Sequence, residues 1–211
     1  MSSGLAETGG NVEERGCVYN EKLIMMRKEF RIPKMEEILE HDRRLLYAIE
    51  KSMGFIPHVY AYMTHSETAL KRFLDFMAVP TVFCPIQTEA IHLVTSQVNQ
   101  NPYCLAAHTA LAKQAGLTEQ QIEAIRKGHV TWDDKLSVLV DFTCELVAHQ
   151  GKISTEMTDR FYQAGYSDAC LVDLIMLVGM SAITNYMTNA TRLPLDFPEA
   201  PVIICNCECK K

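Results

Sequence analysis

The apolar residues of this chain recur at helical spacing from residue 35 onward. Met35, Ile38, Leu45 and Ile49 follow one another at intervals that place them on one face of a helix. No credible alternation of apolar and polar residues, the pattern of a half-buried strand, interrupts this spacing. Only the N-terminal arm and residues 201–205 have a pattern that suits an extended segment. The sequence therefore predicts an all-α fold.

Capping residues and helix breakers divide the pattern into about eight to ten helices. Thr118 begins a capping box with Gln121, and Asn101-Pro102 separates two helices. The segment Asp168–Thr191 is apolar on nearly every face and is predicted to be the buried central helix. The predicted helices cover about residues 35–53, 58–63, 66–77, 85–100, 104–115, 118–127, 136–150, 155–164 and 168–191.

The length of 211 residues suits one domain or two small, closely packed halves. We predict an N-terminal arm over residues 1–34, a helical domain over 35–193 and a C-terminal tail over 194–211. Within the domain, residues 36–115 and 118–192 each end in a long helix after shorter ones. These two halves are candidates for similar structural units.

Composition and charge exclude several partners. The net charge of −6 and the absence of a dense Lys/Arg block argue against nucleic acid. The most apolar run, Ala169–Met180, is too short to cross a membrane and contains Asp173. Residues 1–16 are polar and acidic, unlike a secretory leader. We therefore predict a cytoplasmic protein with no nucleic-acid or membrane partner.

Eight cysteines are many for such a chain, and they lie at positions 17, 84, 104, 144, 170, 205, 207 and 209. A cytoplasmic location argues against a disulfide framework. Cys144 and Cys170 lie in apolar helical runs and are predicted to be core residues. The terminal trio Cys205, Cys207 and Cys209 offers three thiolates, one fewer than a structural zinc site needs. We predict a flexible tail there and neither a metal nor another cofactor.

Glu89, Cys104 and His108 are the candidate catalytic residues. Cys104 and His108 lie four positions apart, on one face of a helix. A histidine within reach of a cysteine can take its proton, and the thiolate is the reactive form. Glu89 is an acidic residue in an otherwise apolar run and could supply or orient a proton. If the chain reverses near residue 101, Glu89 reaches Cys104 only through water or another side chain.

These three residues resemble the E-x(11)-C-x-x-C-x-x-x-H signature of the carboxymuconolactone decarboxylase and alkylhydroperoxidase D family. The resemblance extends over about residues 55–192 and includes the segment Thr109–Thr118. One element differs, because Asn101 occupies the position of the first cysteine. The resemblance implies an all-helical bundle of the alkylhydroperoxidase D type, often with similar halves, assembled as a homo-oligomeric trimer or hexamer.

The resemblance also implies a reaction and favours an enzyme. In family members with two cysteines, the thiol matching Cys104 attacks the peroxide and the first cysteine resolves the sulfenic acid. Asn101 cannot resolve it, but its amide can donate a hydrogen bond to a thiolate, which predicts a lowered pKa for Cys104. The predicted function is reduction of a small hydroperoxide by Cys104, with Glu89 and His108 relaying protons. The loop residue Cys84 is too distant to form a disulfide with Cys104, so an external thiol is the expected reductant.

Two neighbours complete the candidate site, and alternatives remain open. His92 follows Glu89 by three positions, level with His108, while Tyr103 beside the thiol lines a pocket or packs. A metal site formed by Glu89, His92 and His108 is not favoured, since a second Glu-x-x-His is missing. One alternative function is a decarboxylase-type lyase in which Glu89 and His108 do acid–base work. Another is a non-enzymatic thiol sensor, in which oxidation changes assembly.

Overall fold

The structure is a computed structural model that describes residues 30–203. The chain divides into two units, Met1–Phe30 and Arg31–Lys211. Of the first unit only Phe30 is described, and all the described helices belong to the second. The predicted N-terminal arm up to residue 29 and the cysteines at 205, 207 and 209 lie outside the described residues.

Residues 30–203 form nine α-helices and no strand, after a 3₁₀ turn at Met35–Glu37. The predicted all-α class is confirmed. In chain order the helices are α1 (Glu40–Met53), α2 (His58–Met63), α3 (Ala69–Met77), α4 (Pro85–Val98), α5 (Pro102–Gln114), α6 (Glu119–Lys127), α7 (Asp134–Ala148), α8 (Thr155–Gln163) and α9 (Asp168–Thr191).

Side-chain caps fix where the later helices begin. The side-chain oxygens of Asn101, Thr118, Asp133, Ser154 and Ser167 each accept a hydrogen bond from the backbone N–H three residues further on. Each bond satisfies a donor that the first helical turn would otherwise leave unpaired. These caps are local features of the sequence. The starts predicted at residues 104 and 136 are two residues late, because the Asn101 and Asp133 caps were not recognised.

Two predicted helix starts are wrong. The first helix begins at Glu40 instead of residue 35, because Ile38 and Leu39 are extended. The prediction missed this break because Ile38 is apolar and buried in register with the helix that follows. The third helix begins at Ala69 instead of Ser66, since the chain first makes a turn in which Ala69 N–H donates to Ser66 O.

Helix α4 is the central element of the bundle. It packs against α5, α6, α7 and α9, and every residue from Ala90 to Ser96 is buried. The prediction that Asp168–Thr191 is the buried central helix is therefore wrong, although its bounds are right. Only one stripe of α9 faces the bundle, so its opposite stripe stays exposed.

The exposed stripe of α9 consists of Val172, Ile175, Met176, Ile183 and Tyr186, each 44–65% exposed. By length and composition, α9 is also the one described helix that could cross a membrane, and 22% of its most apolar window is buried. The same composition suits a helix that packs against another protein surface. The absence of a membrane partner stays a prediction.

The residues after α9 fold back over the bundle. Leu193 is buried in the core, Phe197 packs edge-on against Phe55, and Pro201 O accepts a hydrogen bond from Arg126. We call residues 193–203 the C-terminal strap. The domain limits predicted at residues 34 and 193, and the similarity of the two halves, stay predictions.

A candidate thiol and histidine site at the junction of α4 and α5

Asn101 joins the two helices that hold the candidate site. Its Oδ1 accepts a hydrogen bond from Cys104 N at 2.6 Å, which caps α5. Its Nδ2 lies 2.8 Å from Asn185 O, 2.7 Å from Thr188 Oγ1 and 2.7 Å from Asn189 Oδ1, and donates to this group of α9 acceptors. The amide is thus directed at α9, and the expectation that it donates to the Cys104 thiolate is wrong. Asn101 is fully buried and ties three helices together.

Glu89 of α4 and His108 of α5 form a pair across the helix junction. Glu89 Oε2 lies 2.9 Å from His108 Nδ1. Their side chains are 15% and 18% exposed, so solvent reaches both. A carboxylate on Nδ1 fixes the orientation of the ring. A carboxylate and an imidazole in contact are common groups of general acid–base catalysis. This pair can therefore accept or release a proton.

His92 lies directly against His108. The two rings stack with centroids 4.4 Å apart and an interplanar angle of 22°. His92 Nδ1 lies 2.5 Å from Ser181 Oγ of α9. Burial, and then the nearby His108, lowers the pKa of His92 well below its ordinary value. His92 is therefore neutral and supports the His108 ring from its buried side.

The Cys104 thiol points to α9. Its side chain is buried, with 4% of the residue exposed, and Sγ donates a hydrogen bond to Thr184 Oγ1 at 3.5 Å. Burial raises the pKa of Cys104, and hydrogen bonds with Thr184, Asn185 and Thr188 only partly oppose it. The predicted lowering of this pKa is wrong, because the sequence pattern did not reveal how deeply the thiol is buried.

Cys104 and His108 share a face of α5, but their side chains diverge. No hydrogen bond among the described residues joins Cys104 to His108 or Glu89: the thiol contacts α9, and the imidazole contacts α4. Helix α9 links the two, since Thr184 Oγ1 donates to Ser181 O, and Ser181 is the partner of His92. A proton passing from Cys104 to His108 needs a water molecule or a substrate oxygen between them.

Tyr103 is a clamp for the C-terminal strap. Its hydroxyl donates to Asp196 Oδ2 and accepts from Val59 N at 3.1 Å. Asp196 Oδ2 also accepts from His58 N at 2.8 Å, and Asp196 Oδ1 lies 2.7 Å from His58 Nδ1. Burial and the Asp196 carboxylate raise the pKa of Tyr103 well above its ordinary value. Both predicted roles of Tyr103 are found: it packs in the core, and with Asn101 and Thr188 it also lines a cavity of about 200 Å³.

The polar stripe of α9 is the part of the site that sequence reasoning missed. Ser181, Thr184, Asn185 and Thr188 stand at positions i, i+3, i+4 and i+7 of an otherwise apolar helix. That spacing marks one helical face and could have been recognised. Each of these four side chains bonds to α4, α5 or the backbone of α9, next to a candidate site residue.

A groove of about 180 Å³ lies between α2, α3 and α9. Met63, Phe73 and Met187 contribute apolar surface to its walls, and Arg72 contributes a charged side chain. The three apolar residues belong to the same cluster as Cys104. Within residues 30–203, no three His, Cys, Asp or Glu side chains are grouped to hold a metal ion.

Comparison with known proteins confirms the resemblance that the sequence suggested. Residues 68–133, which contain the whole Glu89–Cys104–His108 motif, match the carboxymuconolactone decarboxylase family. No curated protein matches the chain significantly.

Several solved structures share the fold. An uncharacterized peroxidase-related protein from Ralstonia eutropha JMP134, described as an alkylhydroperoxidase AhpD core, superposes with a TM-score of 0.72 at 16% identity, over 80% of this chain and 92% of its own. A peroxidase-related protein from Silicibacter sp. TM1040 superposes with a TM-score of 0.68 at 19% identity, and the match covers 83% of this chain and 95% of that protein. A debrominase in complex with 2,3,4-tribromopyrrole superposes with a TM-score of 0.68 at 12% identity, and the match covers 81% of this chain and 93% of that protein.

Residues 68–133 thus match the carboxymuconolactone decarboxylase family, and the described helices have the alkylhydroperoxidase D-like fold of the superposed structures. At these identities the structural likeness establishes the fold alone.

Proposed function

We propose that this protein is a thiol-dependent peroxidase that reduces a small hydroperoxide at Cys104. The observation that carries the proposal is the Glu89–His108 pair, joined at 2.9 Å, one helical turn from a reduced, buried thiol. All three residues lie within the segment that matches the family. The fold neighbours that are named as peroxidase-related, and a putative antioxidant defence protein AhpD from Agrobacterium tumefaciens, support the same reaction class.

The first step of the reaction oxidises the thiol. Because burial raises the pKa of Cys104, the resting thiol is neutral and must lose its proton to react. His108, held by Glu89, accepts that proton through the bound peroxide or a water molecule. The thiolate then attacks the terminal peroxide oxygen: the O–O bond breaks, an S–O bond forms, and the alkoxide takes the proton from His108 as the alcohol leaves. Cys104 becomes a sulfenic acid.

The second step requires an external thiol. One thiol attacks the sulfenic sulfur and releases water, and a second thiol restores Cys104 while a disulfide leaves. Asn101 cannot take this role, and Cys84 precedes α4 at the end remote from Asn101. The 14 residues of α4 separate the two ends by about 20 Å at about 1.5 Å per residue, too far for a disulfide.

Substrate approach is the remaining requirement. We propose that hydroperoxides enter by the groove between α2, α3 and α9, since its wall residues Met63 and Phe73 belong to the same apolar cluster as Cys104. Side-chain movement there would bring the peroxide group to Sγ.

The contacts of the site favour the peroxidase over a lyase. A lyase that acts on a carboxylated ring needs a cation beside its acid–base pair. The described hydrogen bonds and ion pairs of Glu89, His92 and His108 include no lysine or arginine. The thiol-sensor alternative would require oxidation of Cys104 without turnover, and a turnover assay separates it from the peroxidase.

Turnover of a hydroperoxide by the full chain, with a dithiol as reductant, tests the proposal. Catalytic consumption should be lost in Cys104→Ser and kept in Cys144→Ser, a matched control at another buried cysteine. A single stoichiometric oxidation without turnover would support the sensor. Equal activity in Cys104→Ser and the unchanged chain would exclude Cys104 as the reactive thiol.

We propose further that the exposed stripe of α9 packs against second copies of the chain. Between Val172 and Tyr186 the only charged residue is Asp173, which accepts a hydrogen bond from Val82 N. A stripe without other charges can meet its own copy without repulsion. Light scattering should give a trimer or hexamer, and Ile183→Glu should shift it towards the monomer, whereas Tyr47→Glu on exposed α1 should not. A 23.8 kDa monomer for the unchanged chain would contradict this.

A further inference from the structure

A second cavity lies on the face of α5 opposite the candidate site. It encloses about 470 Å³ between α5, α6 and the C-terminal strap. Ala106 and Ala110 are part of its α5 wall and lie two positions beyond Cys104 and His108, and thus about 200° around the helix. Ile122 of α6 and Ile203 of the strap add apolar surface. This volume suits a small organic molecule.

Arg126 is the buried charge in the cavity wall. Only 4% of the residue is exposed. Its Nε donates to Gln97 Oε1 at 2.9 Å and its Nη2 to Pro201 O at 2.9 Å, and both acceptors are neutral. A guanidinium has five N–H donors, so three have no partner among the described residues. Burial lowers the pKa of Arg126, and the nearby Glu123 only partly opposes this.

A buried cation without a carboxylate partner is unusual, because removing its charge from water costs free energy that a counter-ion normally offsets. No ion pair within residues 30–203 involves Arg126. The burial of Arg126 and its free N–H donors are therefore those of a residue that can bind an anion.

The other charges of the cavity lie at its mouth. Glu119 pairs with Lys113 at 2.7 Å, and Glu123 pairs with Lys127. Glu199 is exposed on the strap and makes no ion pair with a described residue. Water screens all three carboxylates, whereas Arg126 acts at short range in a buried setting. The buried cation therefore decides which ligands the cavity accepts.

We propose that this cavity binds a small carboxylic acid with an apolar body. The carboxylate accepts hydrogen bonds from the free N–H groups of Arg126, and the hydrocarbon part lies on Ala106, Ala110 and Ile122. Thr109 in the same wall has a buried hydroxyl without a hydrogen-bond partner among the described residues, and a turn about its side-chain bond would offer it to the ligand.

Calorimetry on the full chain with three probes of one shape tests the proposal. Benzoate should bind, benzyl alcohol should bind at least about tenfold more weakly because it lacks the charge-assisted bonds, and benzylamine should not bind. Tighter binding of benzylamine would overturn the proposal, since the exposed carboxylates would then decide the ligand.

Two variants test the site from different directions. Arg126→Gln removes the charge, and Ala110→Phe fills the cavity while leaving Arg126 in place. Both should lower benzoate affinity about tenfold or more, whereas Lys113→Gln at the mouth should have little effect. Helix content and unfolding midpoints verify that each variant folds. Unchanged benzoate affinity in a folded Ala110→Phe variant would place any binding elsewhere and overturn the proposal.

Two further variants separate binding in this cavity from the thiol chemistry and from the C-terminal residues. Cys104→Ser should bind benzoate like the unchanged chain, because the cavity lies on the opposite face of α5 and does not depend on the proposed peroxidase reaction. A chain that ends at Ile203 should also bind benzoate with unchanged affinity. Binding that occurs only after removal of residues 204–211 would mean that the chain fills its own cavity, which would contradict the proposal.

Discussion

The thiol and the histidines of α5 lie in two different environments. We call the surroundings of Cys104, formed by Thr184, Asn185 and Thr188 of α9, the thiol compartment. We call Glu89, His92 and His108 the histidine compartment. The first is buried and holds a neutral thiol, whereas the second contains a partly exposed acid–base pair.

This contrast shows that four positions along a helix bring two residues to one face without making their side chains meet. The thiol is kept in its unreactive form by burial, and the base that could activate it is bonded to a carboxylate instead. On the proposed mechanism, a substrate oxygen that bridges the two compartments completes the proton path. The resting protein would then be protected from oxidation when no substrate is bound.

The largest expected effect comes from disabling the histidine compartment alone. Glu89→Gln and His108→Gln should each lower peroxide turnover by about 10²–10⁴-fold, the usual contribution of a positioned acid or base. Alkylation of Cys104 should hardly change, because no hydrogen bond joins the thiol to either residue. His129→Gln is the control, since His129 is exposed. If alkylation of Cys104 fell with turnover, the two compartments would not be separate.

The second effect concerns Asn101, which connects the compartments. Asn101→Ala should lower the free energy of unfolding by about 2–4 kcal/mol, because it removes the α5 cap and leaves α9 acceptors unpaired in the core. Urea unfolding measures the change. Asn189→Ala, which removes an exposed partner of Asn101 and a hydrogen bond to Asn99 O, should cost less. Equal losses in the two variants would mean that Asn101 stabilises the fold no more than Asn189 does.

Thr184 acts on the thiol compartment. Because its hydroxyl can turn from Ser181 O towards a thiolate, Thr184→Val should raise the pKa of Cys104 further and slow alkylation at pH 8. Rates over a pH series measure this, with Thr158→Val of α8 as the control. If the midpoint of the pH profile of Cys104 alkylation moved to lower pH in Thr184→Val, Thr184 would not be a stabiliser of the thiolate.

The smallest effect is the acid response of the histidine compartment. The pKa of His92 is lowered in the folded chain, so the unfolded chain binds a proton first as the pH falls below about 6.5. Stability should therefore decrease with falling pH, by at most about 1.4 kcal/mol per unit, until the folded-state pKa is reached. His92→Phe should remove this slope, and His129→Gln should keep it. An unchanged slope in His92→Phe would mean that another group causes it.

The sequence predicted the helices well because caps and periodicity are local. It also placed His92 level with His108 across the junction near Asn101, since helical rise converts residue number into distance. It failed where the answer depends on packing. Burial of Cys104 and the direction of the Asn101 amide are set by α9, whose contacting residues lie 80 and 84 positions further along the chain.

The dependence on packing also explains why the sequence predicted the wrong central helix. Helix α9 is the most apolar segment, and composition alone made it the core helix. The structure gives that position to α4, because four helices surround it. An apolar helix face thus predicts burial, but it does not specify whether the covering surface belongs to the same chain or to another one.

The most direct test of the account is to identify which cysteine a hydroperoxide oxidises. The full chain is treated with a stoichiometric amount of hydroperoxide in the presence of dimedone, and the labelled peptide is identified by mass spectrometry. The account predicts a dimedone adduct on buried Cys104, much reduced in His108→Gln, and no peptide that links Cys84 to Cys104. An adduct confined to exposed Cys84, with Cys104 still reduced, would contradict the central claim.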